Sequence, residues 1–183
     1  MSMWKECEGL QGELVKMRRE LHQIPEFGLD LPETQKYVTD KLDELGIPYK
    51  CSGTDSSIIA EIKGGKPGRT VALRADMDAL KITEANDVDY KSKHEGLMHA
   101  CGHDNHMTGL LGAAMLLCER REEIAGTVKL IFQPAEEMSP VGGSRGMLHS
   151  GYMDDVEAVF GLHVWPDLPH GKIGVKAGPL MAA

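Results

Sequence analysis

The sequence predicts an α/β domain in which a mixed, largely parallel sheet is flanked by helices. Residues 1–50 have mainly helical periodicity, and the β-rich segments after them alternate with helical ones. Such alternation is typical of parallel strands joined by crossover helices. With 183 residues, of which 42% are hydrophobic and 26% charged, the chain has the size and composition of one globular domain, which excludes fibrous and disordered classes.

Two amphipathic helices are predicted at the start of the chain. The first has apolar residues at spacings of three and four, namely Leu14, Met17, Leu21 and Ile24. The second begins at Pro32, because proline suits the first helical turn, and ends at Gly46 and Pro48, which are typical helix stops. Its apolar side carries Val38, Leu42 and Leu45.

The remaining chain is predicted to alternate between strands and helices. Residues 57–62 and 70–75 are predicted strands, and the glycine-rich segment 64–68 between them favours a hairpin connection. Further along, we predict helices over 105–121 and 142–149 and strands over 127–132, 157–164 and 172–175.

The net charge and the cysteine content limit the classes of binding partner and the cellular compartment that we expect. The net charge of −8 repels phosphate backbones and argues against a nucleic acid partner. No apolar stretch approaches the about 20 residues that cross a bilayer, so no membrane association is expected, and the N-terminus lacks the apolar core of an export signal. Four cysteines without a CxxC motif favour free thiols in the reducing cytoplasm.

Candidate functional residues follow the predicted strands. They are Asp76 and Asp78 after the second strand, Glu136 and Glu137 after the third, His163 near the end of the fourth, and Cys101 and His103 before the helix from residue 105. Because the carboxyl ends of parallel strands share one edge of a sheet, these side chains are expected to converge there.

The donor types predict a metal site. Cys101 and His103 offer a thiolate and an imidazole, and Glu137 and His163 add a carboxylate oxygen and a second imidazole. This set suits zinc or another late divalent ion, and an incomplete protein shell leaves room for a catalytic water molecule. Glu136, next to Glu137, can then act as the general base.

For two other aspartates the sequence allows several roles, and for the remaining histidines it predicts no metal-binding role. Asp76 and Asp78 are expected either to bind metal, to brace a ligating imidazole or to cap a loop turn. No metal role is predicted for the other histidines, which are His22, His94, His99, His106, His149 and His170.

Five ordered segments resemble a known group of enzymes. They are RRELHQIPE at 18–26, LRADMDAL at 73–80, MHACGHD at 98–104, FQPAEE at 132–137 and GLHVWP at 161–166. In these segments the chain is similar to the metal-dependent amidohydrolases that include hippurate hydrolase, aminoacylase and indoleacetyl-amino-acid hydrolase. The match extends over nearly the whole sequence.

The resemblance implies a dinuclear zinc-exopeptidase-like catalytic domain that hydrolyses the amide bond of N-acyl amino acids, hippurate-like or N-acetyl, or of short peptides. It implies two divalent ions, Zn²⁺ or Mn²⁺ with Co²⁺ or Ni²⁺ as alternatives, held by Cys101, His103, Glu137 and His163. Glu136 is the implied general base, and Asp78 matches an aspartate that supports the site. Full-length relatives are implied to be homo-oligomers.

The resemblance also bears on the extent of the chain. Relatives carry an inserted lid and dimerisation domain, then a returning catalytic segment with a further histidine ligand. Residues 1–183 are therefore expected to be the N-terminal part of the catalytic domain, without those later parts and inactive alone. Lys81 and Asn105 stand where relatives usually have proline and glycine, which affects local loop shape rather than the ligand set.

Two alternative functions are compatible with the same residues. The chain is either a non-catalytic remnant that keeps the fold for binding or assembly, or a thiol hydrolase. In the second case Cys101 is the nucleophile and His103 or His163 its base.

Overall fold

The computed structural model describes residues 3–179, which form helices on a single five-stranded sheet. The helices are α1 (Met3–His22), α2 (Pro32–Glu44), α3 (His103–Glu119) and α4 (Ser144–His149), with a 3-10 turn at Arg121–Glu123. The strands are β1 (Tyr49–Cys51), β2 (Ile58–Lys63), β3 (Lys66–Asp76), β4 (Ala125–Gln133) and β5 (Val156–Gly161).

The sheet is mixed and has the order β1-β2-β4-β3-β5. β3 pairs in parallel with β4 and with β5, whereas β2 pairs antiparallel with β1 and with β4. The predicted α/β class with helices flanking a mixed sheet is confirmed, and its parallel part is the β4-β3-β5 half.

The predicted hairpin between the first two long strands is wrong, because β4 lies between β2 and β3. Gly64 in the connecting segment bonds to the start of β4 instead: its N–H donates to the Gly126 carbonyl at 2.8 Å. From Val128 to Gln133 every residue of β4 is buried, which suits a strand covered on both faces at the centre of a sheet. Burial of this apolar strand therefore outweighs the local turn signal.

The predicted strand over 172–175 is also wrong. These residues have no strand structure, and the side chains of Ile173 and Val175 are 89% and 91% exposed. The strand before them, β5, ends at Gly161 instead of continuing to residue 164. The residues of this segment pair with no neighbouring strand in the described part of the chain.

The main core lies between the sheet and the three long helices. Its largest fully buried side chains include Phe132, Leu21, Leu42, Met107 and Leu130. Met17, Leu21, Val38 and Leu42 are buried as the helical periodicity predicts. No helix within residues 3–179 is long and apolar enough to span a membrane.

The opposite face of the sheet has a smaller core, and β5 has little cover on either face. Met147 of α4 packs on Ala72 and Ile131. Val159 and Phe160, successive residues of β5 whose side chains point to opposite faces, are 55% and 59% exposed. Within the described residues, β5 is thus held mainly by its pairing with β3.

Candidate metal centre

The carboxyl ends of the three parallel strands lie at one edge of the sheet, as the sequence predicts. The register pairs Asp76 at the end of β3 with Gln133 at the end of β4, and Arg74 with Gly161 of β5. Helix α3 begins at the same edge with His103. The polar residues that follow these strands and begin α3 are therefore close in space, although they are distant in sequence.

His103 lies at the centre of this cluster and is fully buried. Its Nδ1 is 2.7 Å from the carbonyl oxygen of Asp78. Because a carbonyl only accepts, Nδ1 carries the proton and Nε2 keeps its lone pair. That Nε2 atom is 3.8 Å from Glu137 Oε1 and 3.9 Å from Glu136 Oε2.

Cys101 and His163 complete the predicted donor set on the other side of His103. Cys101 Sγ is 3.4 Å from His163 Nε2, and donor atoms of these two residues and His103 all lie within 4.8 Å of one another. The Nδ1 atom of His163 is 2.5 Å from the Val164 carbonyl, which makes Nε2 the free acceptor here too. The other three predicted metal donors are thus grouped around His103.

Asp78 is fully buried and bonds to residues of the cluster. Its two carboxylate oxygens accept the backbone N–H groups of Glu136 at 2.9 Å and Glu137 at 3.0 Å, while its carbonyl accepts from His103. Of the roles that the sequence leaves open for Asp78, these contacts favour the bracing one. Asp78 connects three of the predicted site residues.

The turn that carries the two glutamates has an unusual backbone. Ala135, directly after Pro134, has a φ of 53°, in the left-handed region that residues other than glycine seldom occupy. Such a conformation costs about 1–2 kcal/mol, and it turns the chain so that two successive amides reach one carboxylate of Asp78. Strain of this kind is commonly found at functional sites.

Gly102 fixes the spacing between Cys101 and His103. It has a φ of 87°, and a Cβ atom there would lie only 2.4 Å from Cγ2 of Val164. Only glycine combines this conformation with so close a neighbour. The glycine of the Cys-Gly-His segment therefore lets the chain after β5, with His163, approach the start of α3.

His106 and Asp76 form a buried hydrogen-bonded pair beside His103. The sequence assigns no role to His106 and leaves the role of Asp76 open. The backbone N–H of Val164 donates to His106 Nε2 at 3.0 Å, so His106 Nδ1 carries the proton and donates to Asp76 Oδ1 at 2.5 Å. Burial opposes ionisation of Asp76, but His106, His103 and Arg74 outweigh it and hold the pKa of Asp76 well below its usual range. Both nitrogens of His106 are thus occupied. Its i, i+3 spacing from His103 on one helix face was the available signal.

The cluster carries an excess of acidic groups. Burial opposes a charge on His103, yet Asp78, Asp76 and Glu136 outweigh it and raise the pKa of His103. Burial raises the pKa of the Cys101 thiol to about 12, and Glu137 contributes in the same direction. The carboxylate contributions to both shifts indicate a site that favours added positive charge.

Two buried atoms in this cluster lack a hydrogen-bond partner among the described residues, and they face each other. They are His103 Nε2 and Glu137 Oε1, 3.8 Å apart. A buried polar atom without a partner costs about 1–3 kcal/mol. A divalent cation between them would satisfy both, and sulfur, imidazole and carboxylate donors fit a zinc-type ion. The residues present therefore fit the implied metal.

A second buried polar network lies beside the cluster. His22, predicted only as a helix-end residue, bonds through Nδ1 to Asp104 at 2.6 Å and through Nε2 to Glu84 at 3.2 Å. Arg18 Nε also contacts Asp104 at 3.1 Å. The hydrogen bond to Asp104 raises the pKa of His22, although burial acts against it. This network fastens the end of α1 to the start of α3, next to His103.

Asp78→Asn is expected to weaken metal binding by about 10–100-fold. The new amide group would face a backbone N–H of Glu136 or Glu137 as a second donor, so one of the two hydrogen bonds is lost. Calorimetric titration with Zn²⁺ measures the change. The control is Asp55→Asn, since Asp55 also accepts a backbone N–H, from Ser57 at 2.8 Å, but belongs to the loop before β2. Equal affinities in both variants would contradict the bracing role.

The fold and the donor set define an α/β domain with a candidate metal site at the carboxyl edge of parallel strands. Sequence comparison gives the family. The model of peptidase family M20/M25/M40 matches residues 72–178, more than half of the chain. The chain belongs to this family, which confirms the resemblance found in the sequence.

Individual relatives agree with this assignment. Thermostable carboxypeptidase 2 of Saccharolobus solfataricus is 45% identical over 170 residues, which are 92% of this chain and 43% of that protein. N-acyl-L-amino acid amidohydrolase of Geobacillus stearothermophilus is 43% identical over 171 residues, 93% of this chain and 46% of that protein. The chain is also similar to the crystal structure of Bacillus subtilis YXEP protein, which is described as a dinuclear metal binding peptidase from the M20 family. The two superpose with a TM-score of 0.89 and 46% sequence identity, over 94% of this chain and 48% of that chain. The chain thus spans less than half the length of these relatives.

Proposed function

We propose that this chain forms the metal-binding part of an amidohydrolase that cleaves N-acyl amino acids or short peptides. The observation that carries the proposal is the pair of partnerless buried atoms, His103 Nε2 and Glu137 Oε1, with Cys101 and His163 beside them. The names of the relatives, an N-acyl-L-amino acid amidohydrolase and a carboxypeptidase, support this substrate class.

We assign the role of metal ligands to Cys101, His103, Glu137 and His163. The histidines present Nε2 because backbone carbonyls occupy their Nδ1 atoms. Zinc suits the thiolate and imidazole donors best, and manganese is the alternative that the carboxylate favours. Two ions are proposed because the similar YXEP structure is described as dinuclear.

Glu136 is the proposed general base. Its side chain is 42% exposed, so water and substrate reach it, while Asp78 holds its backbone N–H. A divalent ion supplies Lewis acidity and lowers the pKa of a nearby water molecule. The Glu136 carboxylate takes a proton from the attacking water as its oxygen adds to the acyl carbon. It then gives this proton to the leaving nitrogen when the C–N bond breaks.

The chain is proposed to act as the N-terminal part of a larger catalytic unit. Two observations support this: the relatives are more than twice as long as the matched segment, and β5 is uncovered on both faces within the described residues. The further segments would supply a remaining ligand and the substrate-closing domain. The cysteines are unpaired, which supports a cytoplasmic location for the whole protein.

The alternative of a thiol hydrolase is less favoured by the geometry. A pKa of about 12 leaves Cys101 protonated at neutral pH, and the protonated thiol is a poor nucleophile. The adjacent Glu137 makes the thiolate still less favourable unless a cation is bound. The same features that disfavour a free thiolate suit a metal ligand.

Alkylation of the cysteines tests the proposal. Iodoacetamide is expected to modify Cys101 more slowly in the presence of Zn²⁺ than in its absence, because a ligating thiolate is protected by its ion. Cys51 is exposed on β1 and provides the internal control, with a rate that Zn²⁺ leaves unchanged. Mass spectrometry of the peptides gives both rates. Unprotected Cys101 at saturating Zn²⁺ would contradict the proposed ligand set.

A further inference from the structure

A cavity of about 750 Å³ adjoins the donor cluster. Cys101 and His163 are among its lining residues, and part of its wall is apolar or aromatic: Val88, Tyr90, Met98, Val164, Trp165 and Pro166. The rest of the wall is polar and includes Asn86, Asn105 and His99. A volume of this size accommodates a small organic ligand. A group bound in the cavity would lie directly beside the proposed metal ligands.

The charged residues that line this cavity are already paired. Arg18 contacts Asp104 at 3.1 Å, and His22 bonds to both Asp104 and Glu84. A carboxylate entering the cavity would need a cation that is not already neutralised, and the described lining residues offer none. The cavity therefore suits an uncharged ligand group.

His99 is a buried polar residue in this lining. It is 3% exposed, and neither of its ring nitrogens has a hydrogen-bond partner among the described residues. A neutral imidazole ring offers one N–H donor and one lone pair, and neither is used by a described residue here. Leaving buried polar atoms unpaired is unfavourable, so a buried group in this state favours an external hydrogen-bond partner.

We propose that this cavity binds the uncharged, apolar acyl group of the substrate, and that His99 hydrogen-bonds the substrate amide. The inference rests on the proposed hydrolysis of N-acyl amino acids. It places the acyl group of the substrate in the cavity beside the donor cluster. Tyr90 and Trp165 provide aromatic surface for an acyl group such as benzoyl. His99 is then a positioning residue that selects for an amide.

Fluorescence titration tests where the acyl group binds. In a Trp4→Phe background Trp165 is the single tryptophan, and it lines the cavity. The Zn²⁺-loaded chain is titrated with N-benzoylglycinamide, with N-benzoylglycine and with glycinamide. Both benzoyl compounds are expected to change the emission with dissociation constants within about threefold of each other, and glycinamide is expected to change nothing. Binding of the carboxylate form alone, or no response to either benzoyl compound, would overturn the inference.

Variants at His99 test the hydrogen bond. His99→Phe is expected to weaken N-benzoylglycinamide binding by about three- to tenfold, the loss of one neutral hydrogen bond. His99→Asn keeps a neutral donor and acceptor and is expected to recover part of the affinity. The matched control, His170→Phe, changes an exposed loop histidine and leaves the affinity unchanged. Circular dichroism verifies the fold of each variant.

Zn²⁺ binding, measured first by calorimetry, separates the two proposals. A chain that binds no Zn²⁺ contradicts the proposed function. A chain that binds Zn²⁺ but shows equal benzoyl affinity for wild type and His99→Phe overturns only the role of His99. A shift of the His99 ring ¹⁵N signals on addition of N-benzoylglycinamide, absent with glycinamide, is the result expected from a direct contact.

Discussion

Glu136→Gln is expected to lower the turnover of N-acyl amino acids by about 10²–10⁴-fold, the usual contribution of a general base. The amide has nearly the shape of the carboxylate but cannot accept the proton of the attacking water. Metal content is expected to remain unchanged, because Glu137 is retained and the backbone N–H of residue 136 still donates to Asp78. Steady-state kinetics on the active protein, with metal analysis of the same samples, measures both quantities.

A second glutamate pair in the chain provides the control. Glu123, in the exposed Glu122–Glu123 pair, contacts Arg120 at 3.6 Å in a solvated turn after α3. Glu123→Gln is expected to leave kcat unchanged. Wild-type turnover in Glu136→Gln would remove Glu136 from the reaction, and loss of metal together with turnover would identify it as a ligand.

Cys101→Ser is expected to weaken metal binding more than the about 10–100-fold that the loss of an outer supporting residue costs. Serine is nearly isosteric with cysteine, but its hydroxyl is a much poorer ligand than a thiolate. Cys101 is only partly buried, so the effect on folding is expected to be small. Calorimetry with Zn²⁺ and thermal unfolding without metal separate the two effects.

Cys51→Ser is the matched control for this variant, because Cys51 is an exposed thiol on the edge strand β1. Its metal affinity is expected to equal that of the wild type. If Cys101→Ser binds Zn²⁺ as tightly as Cys51→Ser, Cys101 is only a partly buried thiol. A loss smaller than that of Asp78→Asn would also contradict its place in the ligand set.

Sequence reasoning succeeded where the determining interactions are local. α2 begins at Pro32 as predicted, and Gly46 follows its end with a φ of 64°. The predicted hairpin failed because pairing of β2 with β4 joins residues far apart in sequence. Turn residues specify a reversal of the chain but do not determine which strand lies beside it.

The predicted donors converge because each follows the end of a strand or starts a helix at the same edge. The supporting residues were harder to identify, since their partners are distant. His22 and Asp104 are separated by 82 positions, and Asp78 and Glu136 by 58. A single sequence without relatives carries no direct signal for such pairs. Asp78 was a candidate through its place after β3, and His106 offered a clue through its helical spacing from His103.

Few side chains pack on β5, so the four predicted metal donors lie on elements that differ in local stability. His103 starts a helix that packs in the main core, and Glu137 follows the fully buried β4. His163 instead follows a strand that is 55% and 59% exposed at Val159 and Phe160. When such a strand separates from the sheet, little buried apolar surface becomes exposed to water. The free energy of this local opening is therefore low. Amide hydrogen exchange would therefore begin around His163 well before it reaches the other three donors.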